Sequence, residues 1–160
     1  MIIRTATLSD LDAIAGVEAS CFPPAEAATR GQFSGRLKNY ASHFWLMLDG
    51  ERLIAFVDGF ATDSPDLTDE MYSHPELHDE CGEWQMIFGV NTLPEYRRKG
   101  CASELIRRAI GDSRSQGRKG VVLTCKAELV HWYSRFGFVD EGVSESVHGG
   151  AVWYQMRLTF

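Results

Sequence analysis

A chain of 160 residues, 44% apolar and 24% charged, has the size and make-up of one folded domain with its own core, which sets aside disordered and fibrous classes. Its formal net charge of −6 argues against broad binding to nucleic acid or to anionic membranes. The first residues lack a leader pattern, no window approaches the roughly 18 apolar residues of a membrane span, and Cys21, Cys81, Cys101 and Cys125 lie far apart, so reduced thiols in a cytoplasmic protein are expected.

In chain order, Ile2–Ala6 reads as a short strand. Thr7-Leu8-Ser9-Asp10 offers N-caps for a helix whose apolar face is Leu11, Ile14, Ala15, Val17 and Ala19, ending near Ser20. Cys21-Phe22-Pro23-Pro24 breaks it, because proline lacks the amide proton and fixes φ. A second helix is expected from about Ala25 or Ala28 to Tyr40, with Phe33 and Leu37 on one face. Phe44–Asp49 and Arg52–Phe60 read as two strands joined at Asp49-Gly50. Residues 61–82 look irregular and acidic, and Glu83–Thr92 reads as one strand stopped by Pro94. Cys101–Ser115 is an amphipathic helix carrying Ala102, Leu105, Ile106, Ala109 and Ile110, with its stop at Gln116-Gly117. Gly120–Cys125 holds a continuous apolar run of the kind buried on both faces. Leu129–Phe136 is a short helix closed by Gly137, and Phe138–Glu141 and Ala151–Leu158 are the last strands. With no repeat or linker in this order, residues 1–160 are expected to form a single α/β domain around a mixed sheet.

The chemistry concentrates at Val90–Ala102. A β run leads into a basic, glycine-containing turn, and the turn opens a helix. Unpaired amides at a helix N-terminus bind phosphate oxygens, glycine allows close backbone approach, and Arg97, Arg98 and Lys99 put three positive charges into an acidic chain. These parts suit a pyrophosphate; a solvated basic loop is the alternative reading of the same residues. Neither a P-loop nor a G-x-G-x-x-G fingerprint is present. His43, His74, His78 and His148 show no metal-ligand spacing, so no metal is expected.

Arg97-Arg98-Lys99-Gly100-Cys101-Ala102 resembles the Gln/Arg-x-x-Gly-x-Gly/Ala signature of the GNAT superfamily of acyl-CoA N-acyltransferases, and Val90–Arg97 is similar to the strand that leads into it. Trp132-Tyr133-Ser134-Arg135-Phe136-Gly137-Phe138 resembles the family's second motif at the usual separation. The element order agrees from Ile2 to Leu158. Within the superfamily, Cys21–Pro24 and Leu123–Val130 are similar to the arylalkylamine, serotonin-acetylating type.

The resemblance implies a mixed sheet of about six to seven strands with about four helices, and a splayed V between the fourth and fifth strands that takes acetyl-CoA. It places the pantetheine arm along Val90, Asn91 and Thr92, and the pyrophosphate on Arg97, Arg98, Lys99, Gly100, Cys101 and Ala102. An amine would attack the thioester directly, with Tyr133 protonating the departing thiolate. The acceptor would meet Phe22, Pro23, Pro24, Phe33, Met86 and Phe88. The arylalkylamine type carries two histidines where Met86 and Phe88 stand here; neither side chain can accept a proton, so the base stays open, and Glu83, near the start of the same strand, could work through water or is an ordinary strand-end carboxylate. Cys125 ends a strand beside the expected thioester, and a buried structural thiol is the reading given to it.

Between Ala61 and Glu83 stand eight carboxylates and no lysine or arginine. Such a rim would steer a cationic amine, or it is a solvated loop. The expected reaction is acetyl transfer to a small cationic or arylalkyl amine; a peptide N-acetyltransferase and a non-catalytic acyl-CoA-binding module are the alternatives. Trp153 and Tyr154 would permit a homodimer through the last strands.

Overall fold

The computed structural model describes residues 1–160. In chain order the elements are β1 (Ile2–Thr5), α1 (Leu11–Cys21), α2 (Arg30–Tyr40), β2 (Phe44–Asp49), β3 (Arg52–Asp58), β4 (Ala61–Thr62), α3 (Glu70–Ser73), β5 (Trp84–Ile87), β6 (Gly89–Thr92), α4 (Cys101–Ser115), β7 (Gly120–Cys125), α5 (Val130–Ser134), β8 (Val139–Val143) and β9 (Tyr154–Thr159). They fall into two compact units: Met1–Gly59 with Gly89–Ala109, and Phe60–Phe88 with Ile110–Phe160.

The first unit is built on a four-stranded antiparallel sheet in the order β1-β2-β3-β6. The β2–β3 turn uses Gly50 at φ 60°, a left-handed position that costs glycine nothing. Phe22 is extended (φ −129°, ψ 148°), as a residue before proline must be, and so α1 ends at Cys21. The second helix starts later than expected. Thr29 accepts from the Gln32 amide while the Gln32 side chain accepts from the Thr29 amide, a capping box that sets Arg30 as the first helical residue. Phe33, Phe44 and Phe56 pack edge-on or stacked at 5.9 to 6.3 Å and form the centre of this unit's core.

The second unit carries a five-stranded sheet in the order β4-β5-β7-β9-β8, in which only β5 and β7 run parallel. β7 is buried along Gly120–Leu123, and a side chain on Gly120 would collide with the Leu158 carbonyl. The acidic segment 61–83 is not a loose rim. Asp66 and Glu141 together hold Gln155 and Arg157 (2.9 to 3.1 Å). Asp69 accepts from the Ser146 hydroxyl and the Val147 amide, Asp63 from the Glu83 amide, and Asp79 from the Cys81 amide. Most of these carboxylates fasten their own unit together.

The mixed α/β class stands, with nine strands and five helices. The excess over the expected number has a clear source. Glu83–Thr92 is not one strand: Trp84–Ile87 pairs in parallel with β7, and Gly89–Thr92 pairs antiparallel with β3 in the other sheet. Gly89 stands opposite Asp58, where a Cβ would lie 2.9 Å from the Asp58 Oδ1. The short α3 and β4 lie in the segment read as irregular. No helix is long and apolar enough to cross a membrane.

Candidate active site

β6 is the edge strand of its sheet. The Leu93 amide donates to the Ile54 carbonyl at 2.8 Å, so in the antiparallel alternation residues 91 and 93 turn toward β3, and Val90 and Thr92 turn their peptide groups outward. The outward Thr92 carbonyl accepts from the Cys21 thiol (3.3 Å) and from Arg97 Nε (3.2 Å). The strand then passes through one 3-10 turn at Pro94–Tyr96 into Arg97-Arg98-Lys99-Gly100. Arg98 (φ 63°) and Gly100 (φ 83°) are both left-handed, and the Gly100 carbonyl accepts from the Glu104 amide at 3.1 Å to start α4. Nothing lies within 4 Å of a Cβ built on Gly100, so glycine is required there by its φ and not by crowding. Tyr96 anchors the turn: its hydroxyl donates to Asp49 (2.7 Å), and Arg52 and Lys99 lie over its ring at 5.6 and 5.3 Å. The turn sets three exposed cations beside the start of α4, an arrangement that suits an anion.

Behind β6 the same unit buries a polar group that no sequence motif announces. Arg36 of α2 donates to Asp58 Oδ2 at 2.9 Å, both side chains being buried. Glu18 of α1 is 6% exposed and Asn91 of β6 is 1% exposed. Glu18 Oε2 accepts from the Ala28 amide at 2.8 Å. Its Oε1, the Asp58 Oδ1 and both ends of the Asn91 amide have no hydrogen-bond partner. A Cβ on Gly89 would lie 2.9 Å from Asp58 Oδ1, 3.2 Å from Asn91 Nδ2 and 3.8 Å from Glu18 Oε1, so these atoms converge on one glycine. Burial and then the Asp58 charge push the Glu18 carboxyl up to about 7, against the pull of the Ala28 amide, Arg36 and Asn91. Burial also raises Asp58, which the Arg36 guanidinium opposes.

In the second unit Tyr133 is buried on α5, with Trp132 and Phe138 edge-on to its ring at 4.8 and 5.9 Å. Burial, then Cys125 and Tyr72, push its phenol well above the ordinary tyrosine value, so it stays protonated. Burial pushes the Cys125 thiol up to about 12, which removes a thiolate from consideration at neutral pH. Tyr72 lies between Phe88 (4.9 Å) and a stacked His148 (4.8 Å), with its hydroxyl 3.4 Å from that of Thr124. Trp153 donates to the His148 carbonyl at 2.8 Å and continues this partly exposed aromatic wall.

The other residues singled out from sequence separate by position. Glu83 precedes β5 and pairs with Lys119 Nζ at 2.9 Å, next to the start of β7; Tyr133 follows the opposite end of β7, so the two share no site. Phe33 is wholly buried in the first core, and Met86 is wholly buried in β5, so neither is available to an acceptor. Phe22 is partly buried and Pro23 and Pro24 are exposed in the segment after α1, while Phe88 belongs to the aromatic wall. Asn91 turns its side chain into the polar group with Glu18 and Asp58. Glu18, Arg36 and Asp58 were not foreseen. A signal existed: Ile14, Val17, Glu18 and Cys21, and likewise Phe33, Arg36, Leu37 and Tyr40, stand at i, i+3, i+4 and i+7, the spacing of a buried helical stripe.

The acetyltransferase (GNAT) family profile matches residues 11–138, and the chain belongs to that family of acyl-CoA N-acyltransferases. Among solved structures, the loading GNATL domain of CurA from Lyngbya majuscula shares 15% identity over 99% of this chain and 96% of that one, with a TM-score of 0.85. A GNAT-like decarboxylase, GphF, in complex with isobutyryl-CoA shares 19% identity over 99% of each chain, also at 0.85. A ribosomal-protein-alanine N-acetyltransferase from Brucella melitensis shares 12% identity over the full length of both, at 0.74. At these identities the likeness is one of fold. The finer likeness to the arylalkylamine type gains no support from these comparisons.

Proposed function

We propose that this chain transfers the acetyl group of acetyl-CoA to a primary amine, residues 1–160 acting as one catalytic domain. The observation that carries the reading is the open edge of β6 running into the left-handed turn at the N-terminus of α4. The outward peptide groups of Val90 and the outward amide of Thr92, whose carbonyl Cys21 and Arg97 already engage, suit pairing with the amide-bearing pantetheine arm as an added strand. The amides from Arg98 to Ala102 suit the pyrophosphate, and Arg97, Arg98 and Lys99 offset its charge.

The amine nitrogen attacks the thioester carbonyl carbon. The C–S bond breaks as the C–N bond forms, and the Tyr133 hydroxyl gives its proton to the departing sulfur. The phenol is protonated near neutrality, the state from which a proton donor must start. A Cys125 thiol that does not ionise near neutrality supports direct transfer over a thioester on the enzyme. The wall of Tyr72, Phe88, His148 and Trp153 supports an acceptor with a flat apolar body. The acids of segment 61–83, engaged as they are, support this apolar recognition over steering by charge.

The test is thiol release from acetyl-CoA with three probe amines: 2-phenylethylamine, spermidine, and a short peptide with a free N-terminal alanine. The aryl amine is expected to be the best acceptor. Acetylation of the peptide alone would move the acceptor class to proteins. Binding of acetyl-CoA without thiol release with any of the three would leave an acyl-CoA-binding module.

A further inference from the structure

Four buried polar atoms without partners, on three separate elements, are rare enough to require a reason, since each carries a desolvation cost that a hydrogen bond would remove. Glu18 Oε1 and Asp58 Oδ1 can only accept while ionised, and Asn91 Nδ2 can only donate. A single water bridging them would donate to both carboxylates and accept from the amide, three bonds of the usual kind for an internal water. The atoms gather at Gly89, the residue before Val90, whose outward peptide group opens the edge proposed for the pantetheine arm.

Resting on that reading of the reaction, we propose that Glu18 is the proton acceptor for the incoming amine, reached through a water held by Glu18, Asp58 and Asn91 beside Gly89. An alkylammonium gives one proton through the water to the Glu18 carboxylate and becomes a nucleophile. Its nitrogen bonds to the acetyl carbon as the C–S bond breaks, and the sulfur takes up a proton and leaves as the thiol. The second nitrogen proton makes good the one taken up by the sulfur as the amide forms, and Glu18 returns its own proton to solvent. One ammonium and one thioester thus yield one amide, one thiol and one released proton. The groups facing Glu18 are those that set its proton affinity: Asp58 from β3 favours the protonated form, while Arg36 from α2, Asn91 from β6 and the Ala28 amide favour the ionised one. Cys21 on its own helix also senses the Glu18 charge.

Glu18 acts through the water, so the test must read something that packing alone would not move. In kcat measured against pH with 2-phenylethylamine, the peptide probe serving if it is the better acceptor, the wild type is expected to show an ascending limb near pH 7. Glu18→Gln keeps an oxygen for the Ala28 amide and should lower kcat by roughly 100-fold or more, abolish that limb and leave the acetyl-CoA thermal shift intact. Asn91→Leu, which removes the water's donor and one of the groups that favour ionised Glu18, should lower kcat roughly tenfold and keep a limb that moves to higher pH. A Glu18→Gln enzyme with the wild-type pH profile overturns the proposal and leaves the acetyltransferase reading standing. So does a wild-type profile that is flat from pH 5.5 to 8.5, a result that needs no variant to fold. Wild-type protein that binds acetyl-CoA but releases no thiol with any probe amine removes both.

Discussion

Two sets of carboxylates in this chain have opposite fates. In segment 61–83 the acids are many and mostly exposed, and they accept from amides, hydroxyls and Arg157 in their own unit. Glu18 and Asp58 are few, buried, and only half satisfied. Surface acids with near partners stay ionised and act as ties, and Glu141 beside Arg157 is held below the usual carboxylate range. Buried acids are pushed toward neutrality, where a carboxyl can exchange a proton at working pH. Density in sequence therefore marked the acids with the least chemistry in them, and two isolated acids on apolar stripes carry more.

The contrast can be broken from the buried side first. Arg36→Met should destabilise the protein by about 3–5 kcal/mol, because it leaves Asp58 buried without its counter-ion. Denaturant unfolding checks this. Tyr133→Phe should lower kcat by roughly 10- to 1,000-fold with little change in acetyl-CoA affinity, read from steady-state kinetics. Gly89→Ala should cost about 1–3 kcal/mol, since the new methyl meets Asp58 Oδ1, and it should also depress kcat by moving the carboxylates.

Glu18 also makes a statement about pH. Its carboxyl is raised in the folded state from 4.5 to about 7, so its contribution to stability is full below about pH 4.5 and is lost as pH rises through 7. Glu18→Gln should therefore gain on the wild type between pH 4.5 and 7, by at most about 3 kcal/mol, in thermal scans at several pH values. The smallest effect belongs to the surface set. Glu83→Gln breaks a half-exposed pair with Lys119 and should change stability by less than about 1 kcal/mol and kcat by less than about twofold.

The legible parts of the fold are those bounded by strong punctuation. Phe44–Asp49, Cys101–Ser115 and Gly120–Cys125 lie where their turns, caps and apolar periodicity place them. The break at Phe88 was hidden, because the apolar residues run on across it and only the pairing partner changes, from β7 to β3. Partner choice is a tertiary matter that a period of two does not encode. The start of α2 was readable in Thr29-x-x-Gln32, though the apolar face alone drew the boundary too early. In the candidate site, the left-handed basic turn before α4 was legible because its glycine, its charges and the following helix are neighbours in sequence. Phe33 and Met86 were assigned to an acceptor because their aromatic and thioether side chains suit one; burial decides otherwise, and burial is set by the sheet they pack on. Glu18, Arg36, Asp58 and Asn91 come from four separate elements, so nothing local joined them.

The most direct measurement is thermal stability of the purified protein with acetyl-CoA, against free CoA and ATP as controls. A ligand at 100 times its Kd adds about 2.7 kcal/mol to the folded state. The account predicts a rise in Tm with acetyl-CoA and CoA that ATP does not reproduce. A folded protein whose Tm does not move at millimolar acetyl-CoA would contradict it, because the open edge of β6 and the turn at Arg97–Gly100 would then hold no acyl-CoA.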